Sequence, residues 1–425
     1  MFNSCIKKKV NKGDTNKEST EIEIAQKAFL DIDSLLKIDN GRFWSKQLYG
    51  PIILINPKTR IFYSNENNAF KTFGRVNSIF SDTLPNDINI ANTATNWEDK
   101  RWTMIMLPLP TNKFSRNNLA VHELFHRIQP EIGFEKLSEL DNGHLDSYNG
   151  RLLLKLELQA LEQALNSINN KTKLKHIKNA LIFRNNRHEN QDIKNAENSL
   201  ELNEGLAEYT ALMLSGRNKQ EIKFHLSQSK NNFYFNSTFV RSFAYQTIPL
   251  YGYLLSSQNK NWHKEIDRST NLTDYFIKSF GISPVTEKTI NEIAKGNNYD
   301  YQQIEKAEVN REEIRLKRIT ELKIKFVNKP TLELLFQNMN ISFDPSNIIP
   351  IENLGTVYPT LRVTDNWGIL TVENEALLAS DWSKVTVSEP TEILDKIIKG
   401  NGWKLELNPK WKVKKIENGF KLIKE

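Results

Sequence analysis

The chain has 425 residues, 39% hydrophobic and 26% charged, which is enough for two or three domains with their own cores and too apolar for a disordered chain. Its net charge of +7 comes from 58 basic against 51 acidic residues, and the basic ones are scattered, with Lys7, Lys8 and Lys9 the one tight run in the first half. A nucleic-acid groove needs clustered cations with aromatics between them, and a membrane-spanning helix needs about 18 apolar residues in succession; the sequence carries neither pattern.

Residues 1–20 read as a polar, disordered tether. Cys5 is the single cysteine, so no disulfide can form within the chain. "MFNSC" followed by "IKKKVNKGDTNKEST" looks like the end of a bacterial lipoprotein signal without its apolar segment. Two readings stand: a free thiol in a cytoplasmic protein, or a lipid anchor at Cys5 in a cell-envelope or secreted protein whose signal lies upstream.

Residues 21–114 read as an α+β portion. A helix is expected over 21–36, a hairpin in "GPIILINPKTRIFYSN", and strands in "DINIANTATNW" and "RWTMIMLPLP". Residues 115–324 read as helices over 116–129, 150–166, 173–187, 197–215, 218–228, 236–257, 272–279 and 286–321, parted by Gly, Asn and Pro clusters. Residues 325–425 turn to short runs such as "GTVYPTLRVT", "WGILTV" and "GWKLEL", the pattern of a separate β-rich module. The expected fold class is α+β: a small N-terminal sheet, a mainly helical lobe and a β-rich C-terminal module.

The stretch "NNLAVHELFHRIQP" carries the chemistry. At about 100° per residue, His122 and His126 lie roughly 40° apart on a helix, while Val121, Leu124, Phe125 and Ile128 form an opposing apolar face. Such a helix can dock by one side and hold two imidazoles toward one Zn²⁺, with Glu123 in reach of a metal-bound water.

A catalytic zinc keeps three protein ligands and one open position, so a third ligand is required. "LELNEGLAEYTALML" offers it: Glu204 and Glu208 share a face lined by Ala207 and Ala211. Two carboxylates one turn apart repel mildly unless a cation and an imidazole N–H lie opposite them. Glu204 is the expected ligand, and Glu208 the acceptor for the distal nitrogen of a ligand histidine. Glu157, in the intervening helix, is a rival third ligand. The loop "DNGHLDSYNGR" adds His144, Asp146 and Arg151 as candidate cleft residues.

"HELFH" with a downstream "NEGLAE" resembles the gluzincin metallopeptidases, the clan of thermolysin and of the leukotriene-hydrolase-type aminopeptidases. The resemblance covers roughly residues 100 to 255. It implies His122, His126 and Glu204 as zinc ligands, Glu123 as general base and Glu208 behind a ligand. It also implies an edge strand beside the zinc helix that pairs with the substrate backbone, a place "WTMIMLP" is suited to take. A tyrosine donating to the oxyanion is expected from "RSFAYQTIPLYGYLL", with Tyr245 first and Tyr251 second. Two features depart from the clan: a helical insertion separates the motifs, and "RWTMIMLPLP" has no acid of the kind that holds a free amine in the aminopeptidases. The expected function is zinc-dependent hydrolysis of a peptide or protein substrate. The alternative is a zinc-binding but catalytically inactive envelope or interaction protein.

Overall fold

A computed structural model describes residues 12–424 apart from 69–71, 99, 136, 139, 345–347 and 352, with side chains from residue 21 onward. Cys5, and with it the choice between thiol and lipid anchor, lies outside the described residues. The chain forms two compact units, one built on the chain up to Ile132 with Met213–Gly216, the other on Gly133–Leu212 with Arg217–Glu425.

The first unit holds α1 (Lys12–Asp39), β1 (Ile52–Ile55), β2 (Ile61–Ser64), β3 (Gly74–Val76), β4 (Ile79–Thr83), β5 (Thr93–Trp97), β6 (Lys100–Met106) and α2 (Lys113–Ile128). Helix α1 begins inside the stretch read as a tether, at Lys12. The sheet has the order β3-β4-β2-β1-β6-β5, with β1 and β6 parallel and Ile53 opposite Met104. Phe62, Phe73, Trp97, Trp102 and Met104 fill one core of this unit, and α2 packs on β5 and β6.

The strand expected at the sheet's edge is not there. Strand β6 lies between β1 and β5, and the edge strand beside α2 is β5, "TATNW". The burial of β6 gives the reason: Trp102, Thr103, Met104 and Ile105 are all at most 1% exposed, so the strand is covered on both faces as an interior strand is.

The second unit opens with helices: α3 (Tyr148–Asn166), α4 (Asn170–Arg187), α5 (Gln191–Leu200), α6 (Leu206–Leu214, its last two residues counted with the first unit), α7 (Lys219–Phe233), α8 (Ala244–Ser256), α9 (Leu272–Phe280), α10 (Ile290–Lys295) and α11 (Tyr301–Lys323). The polar clusters between them supply the caps: Ser147, Asn169, Asn190, Asn218, Asn271 and Thr289 each accept a backbone N–H of the helix that follows. Two expected helices are shorter or split. The segment 236–257 becomes helical only from Ala244, and 286–321 breaks at Gly296–Asp300 into α10 and α11. Among the described residues no helix is long and apolar enough to cross a membrane.

The C-terminal strands are β7 (Thr331–Leu335), β8 (Asn340–Phe343), β9 (Ile349–Ile351), β10 (Gly355–Tyr358), β11 (Leu361–Asp365), β12 (Gly368–Val372), β13 (Ala376–Leu378), β14 (Lys384–Ser388), β15 (Pro390–Leu394), β16 (Ile397–Gly400), β17 (Trp403–Leu407), β18 (Trp411–Ile416) and β19 (Gly419–Lys424). They form two sheets, β18-β19-β7-β14-β13-β10-β9 and β15-β16-β17-β12-β11-β8, antiparallel except for β19 beside β7. Burial alternates along β11, β12 and β17. Leu332, Leu334 and Val385 of one sheet share a core with Val363, Leu370 and Leu405 of the other, which makes the region a β-sandwich. The fold is α+β, with a helical middle and a strand-rich C-terminal region.

Candidate metal centre

Helix α2 starts at Asn112, whose side chain accepts from Ser115 N at 3.1 Å. Val121, Leu124, Phe125 and Ile128 are fully buried, so the apolar face docks as its spacing requires. His122 and Glu123 are 5% and 6% exposed, and His126 is half-buried. The Nε2 atoms of His122 and His126 stand 3.2 Å apart. His126 Nδ1 lies 2.9 Å from Gln129 Oε1. With that oxygen as acceptor, the proton of His126 sits on Nδ1 and its Nε2 lone pair faces His122.

The second motif has a different local structure from the one expected. Glu204 does not open a helix: α5 runs into a π turn over Glu201–Gly205, and α6 continues from it. A π turn re-aims side chains within a continuous helix and is frequent at functional sites. Here it is locked by α8, which approaches so closely that a Cβ on Gly205 would lie 2.5 Å from Ile248 Cγ1. The same approach brings Tyr245 to Glu204: its hydroxyl donates to Glu204 Oε2 at 2.5 Å. Arg241 Nη2 lies 3.6 Å from Glu204 Oε1.

His122, His126 and Glu204 form a cluster that can hold a metal ion, each offering one ligand atom, with these atoms within 4.8 Å of one another. Two imidazole nitrogens on one tetrahedral zinc at about 2.0–2.1 Å stand roughly 3.3 Å apart, and the 3.2 Å between the Nε2 atoms fits that bite.

Of the other sequence candidates, Glu157, Tyr251, His144, Asp146 and Arg151 have partners of their own. Glu157 is fully buried between Arg184 Nη1 at 3.1 Å and Arg187 Nη1 at 2.6 Å. Tyr251 donates to Glu157 at 2.9 Å and is also fully buried. Glu208 is half-buried and acts electrostatically on Arg217 and His225. His144 Nε2 meets Glu197 at 2.8 Å. Asp146 and Arg151 pair with each other at 3.1 Å. Gln129 and Arg241 were not singled out from sequence. Gln129 had a signal, its position three residues after His126 on the same helical face.

Glu157, Glu197 and Glu201 converge on only two guanidiniums, Arg184 and Arg187. Burial pushes the Glu201 carboxyl up to about 7; Arg184 opposes the shift and the Glu197 charge adds to it. Burial also works to raise Glu197, but Arg187 overrides it and holds that carboxyl well below the usual range. Glu197 also meets His144 and His188, so of these two acids Glu201 is the one whose charged form burial disfavours.

No protein-family model, curated protein or solved structure matches the chain.

Proposed function

We propose that this protein is a zinc-dependent hydrolase that cleaves peptide bonds. The observation that carries the reading is the cluster of two histidines and a glutamate on an H-E-x-x-H helix and a downstream glutamate helix. Two imidazoles and one carboxylate suit zinc, and His122, His126 and Glu204 would hold it. Zinc bound there supplies Lewis acidity and lowers the pKa of a water ligand. Glu123, beside His122 and nearly buried, takes the proton of the attacking water and returns it to the leaving amine. Gln129 keeps His126 in the tautomer that presents Nε2. Tyr245, whose hydroxyl donates to Glu204 in the structure, would redirect that proton to the developing oxyanion.

The resemblance to gluzincins supports this reading through residues, while the long insertion and the π turn set the chain apart within it. A peptide-library digest of zinc-loaded protein beside its Glu123→Gln variant tests it. Cleavage by the native chain, with zinc retained and cleavage lost in the variant, is expected. Zinc binding without cleavage by the native chain would establish the inactive, binding-only alternative.

A further inference from the structure

Within the second unit, a cavity of about 60 Å³ opens where the helices meet the β-sandwich. At about 10–15 Å³ for each water-sized atom it has room for roughly four to six of them, the size of one short side chain. Leu200 at the end of α5, Val240, Leu378 and Trp382 give it apolar walls. Asp141 and Arg241 add one carboxylate and one guanidinium, so the wall does not call for a charge of either sign. Arg241 also locates the cavity: its Nη2 lies 3.6 Å from Glu204 Oε1, so one side chain separates the cavity from the candidate metal ligand.

The informative group is Asn142, which lines the cavity and is 2% exposed. Its Nδ2 donates to the Ala196 carbonyl oxygen at 3.3 Å, which fixes the orientation of the amide. Its Oδ1 is buried without a hydrogen-bond partner. A buried carbonyl oxygen left unpaired is costly, and here it faces a space that a donor from outside can enter. Thr356 and Ser380, on the sandwich side of the wall, bring hydroxyls that can donate in turn. The group that suits both sides is short and uncharged, and carries an N–H beside an acceptor oxygen.

We propose that this cavity is a substrate side-chain subsite that selects a carboxamide, as in glutamine. The amide N–H meets Asn142 Oδ1, and the methylenes lie on Leu200, Val240 and Trp382. The proposal rests on the hydrolase reading for where the substrate lies.

Acetylated hexaalanine peptides carrying glutamine, or its apolar isostere methionine, at each position in turn test it. Zinc-loaded full chain should cleave the best glutamine peptide with kcat/KM about tenfold above its methionine counterpart. Calorimetric titration of zinc-loaded Glu123→Gln with the same peptides should give the same order in Kd, so binding decides the subsite even where the native chain cleaves nothing and the hydrolase reading fails. Adding Asn142→Leu should bring both ratios to about one, with circular dichroism confirming the fold. Ala379→Leu, which narrows the cavity from the sandwich side and leaves Asn142 in place, should weaken the glutamine peptide by about tenfold. Equal Kd for glutamine and methionine in Glu123→Gln, or a preference that survives Asn142→Leu, would overturn the proposal.

Discussion

Two sets of glutamates lie along one continuous helical stretch and serve opposite ends. Glu197 and Glu201 turn into the core, where with Glu157 they are clamped by Arg184 and Arg187. Glu204, three residues after Glu201, meets a tyrosine hydroxyl and a more distant arginine instead, and belongs to the cluster with His122 and His126. Residue type does not separate the sets; partners do. A carboxylate held by fixed guanidiniums is a structural anchor, whereas one grouped with two imidazole nitrogens can take a metal ion. The π turn is where the helix changes from one use to the other.

The sharpest way to break that contrast is to remove a clamp. Arg184→Met leaves Glu157 and Glu201 short of a buried cation and should cost about 3–5 kcal/mol in urea unfolding, while Glu204→Gln without metal should cost far less. Equal costs would erase the distinction. Gly205→Ala drives a Cβ into Ile248 and should cost about 1–3 kcal/mol. It should also disturb metal binding, because the same packing sets the π turn; competition titration with a zinc indicator reads that second effect. Gln129→Leu should leave the fold intact and weaken zinc by about 10–100-fold in the same titration.

The smallest effect concerns pH. Glu201 has a raised carboxyl, at about 7, so its contribution to stability is complete below the ordinary carboxylate range and is lost as pH rises through about 7. Glu197 is depressed, so its contribution is present above that range and lost in acid. Between pH 5.5 and 8 the melting temperature should therefore fall less in Glu201→Gln than in the native chain. Parallel slopes would show that the Glu201 carboxyl is not raised.

What the sequence revealed follows from what is local. The periodicity of "LAVHELFHRI" places α2 and its buried face, the alternation in "WGILTV" places a sandwich strand, and Asn and Ser clusters mark helix starts because they cap them. Strand order was not legible, since β6 owes its interior place to β1, pairing across some fifty residues. The π turn was hidden too: "ELNEG" has no composition that separates it from α-helix, and its stabilising contact is Ile248 on another helix. Tyr245 and Tyr251 were open alternatives, although six residues on a helix turn a side chain about 120° away, so that one reaches Glu204 and the other Glu157. The arginine clamp had a visible trace in Arg184 and Arg187, spaced to share one face of α4, but their acidic partners come from other helices.

Metal analysis of the full chain purified without added zinc tests the central claim most directly. The account predicts about one zinc per chain, retained in Glu123→Gln and lost in His126→Ala and in Glu204→Gln. Near-zero zinc in the native chain, or zinc that survives both ligand substitutions, would contradict it.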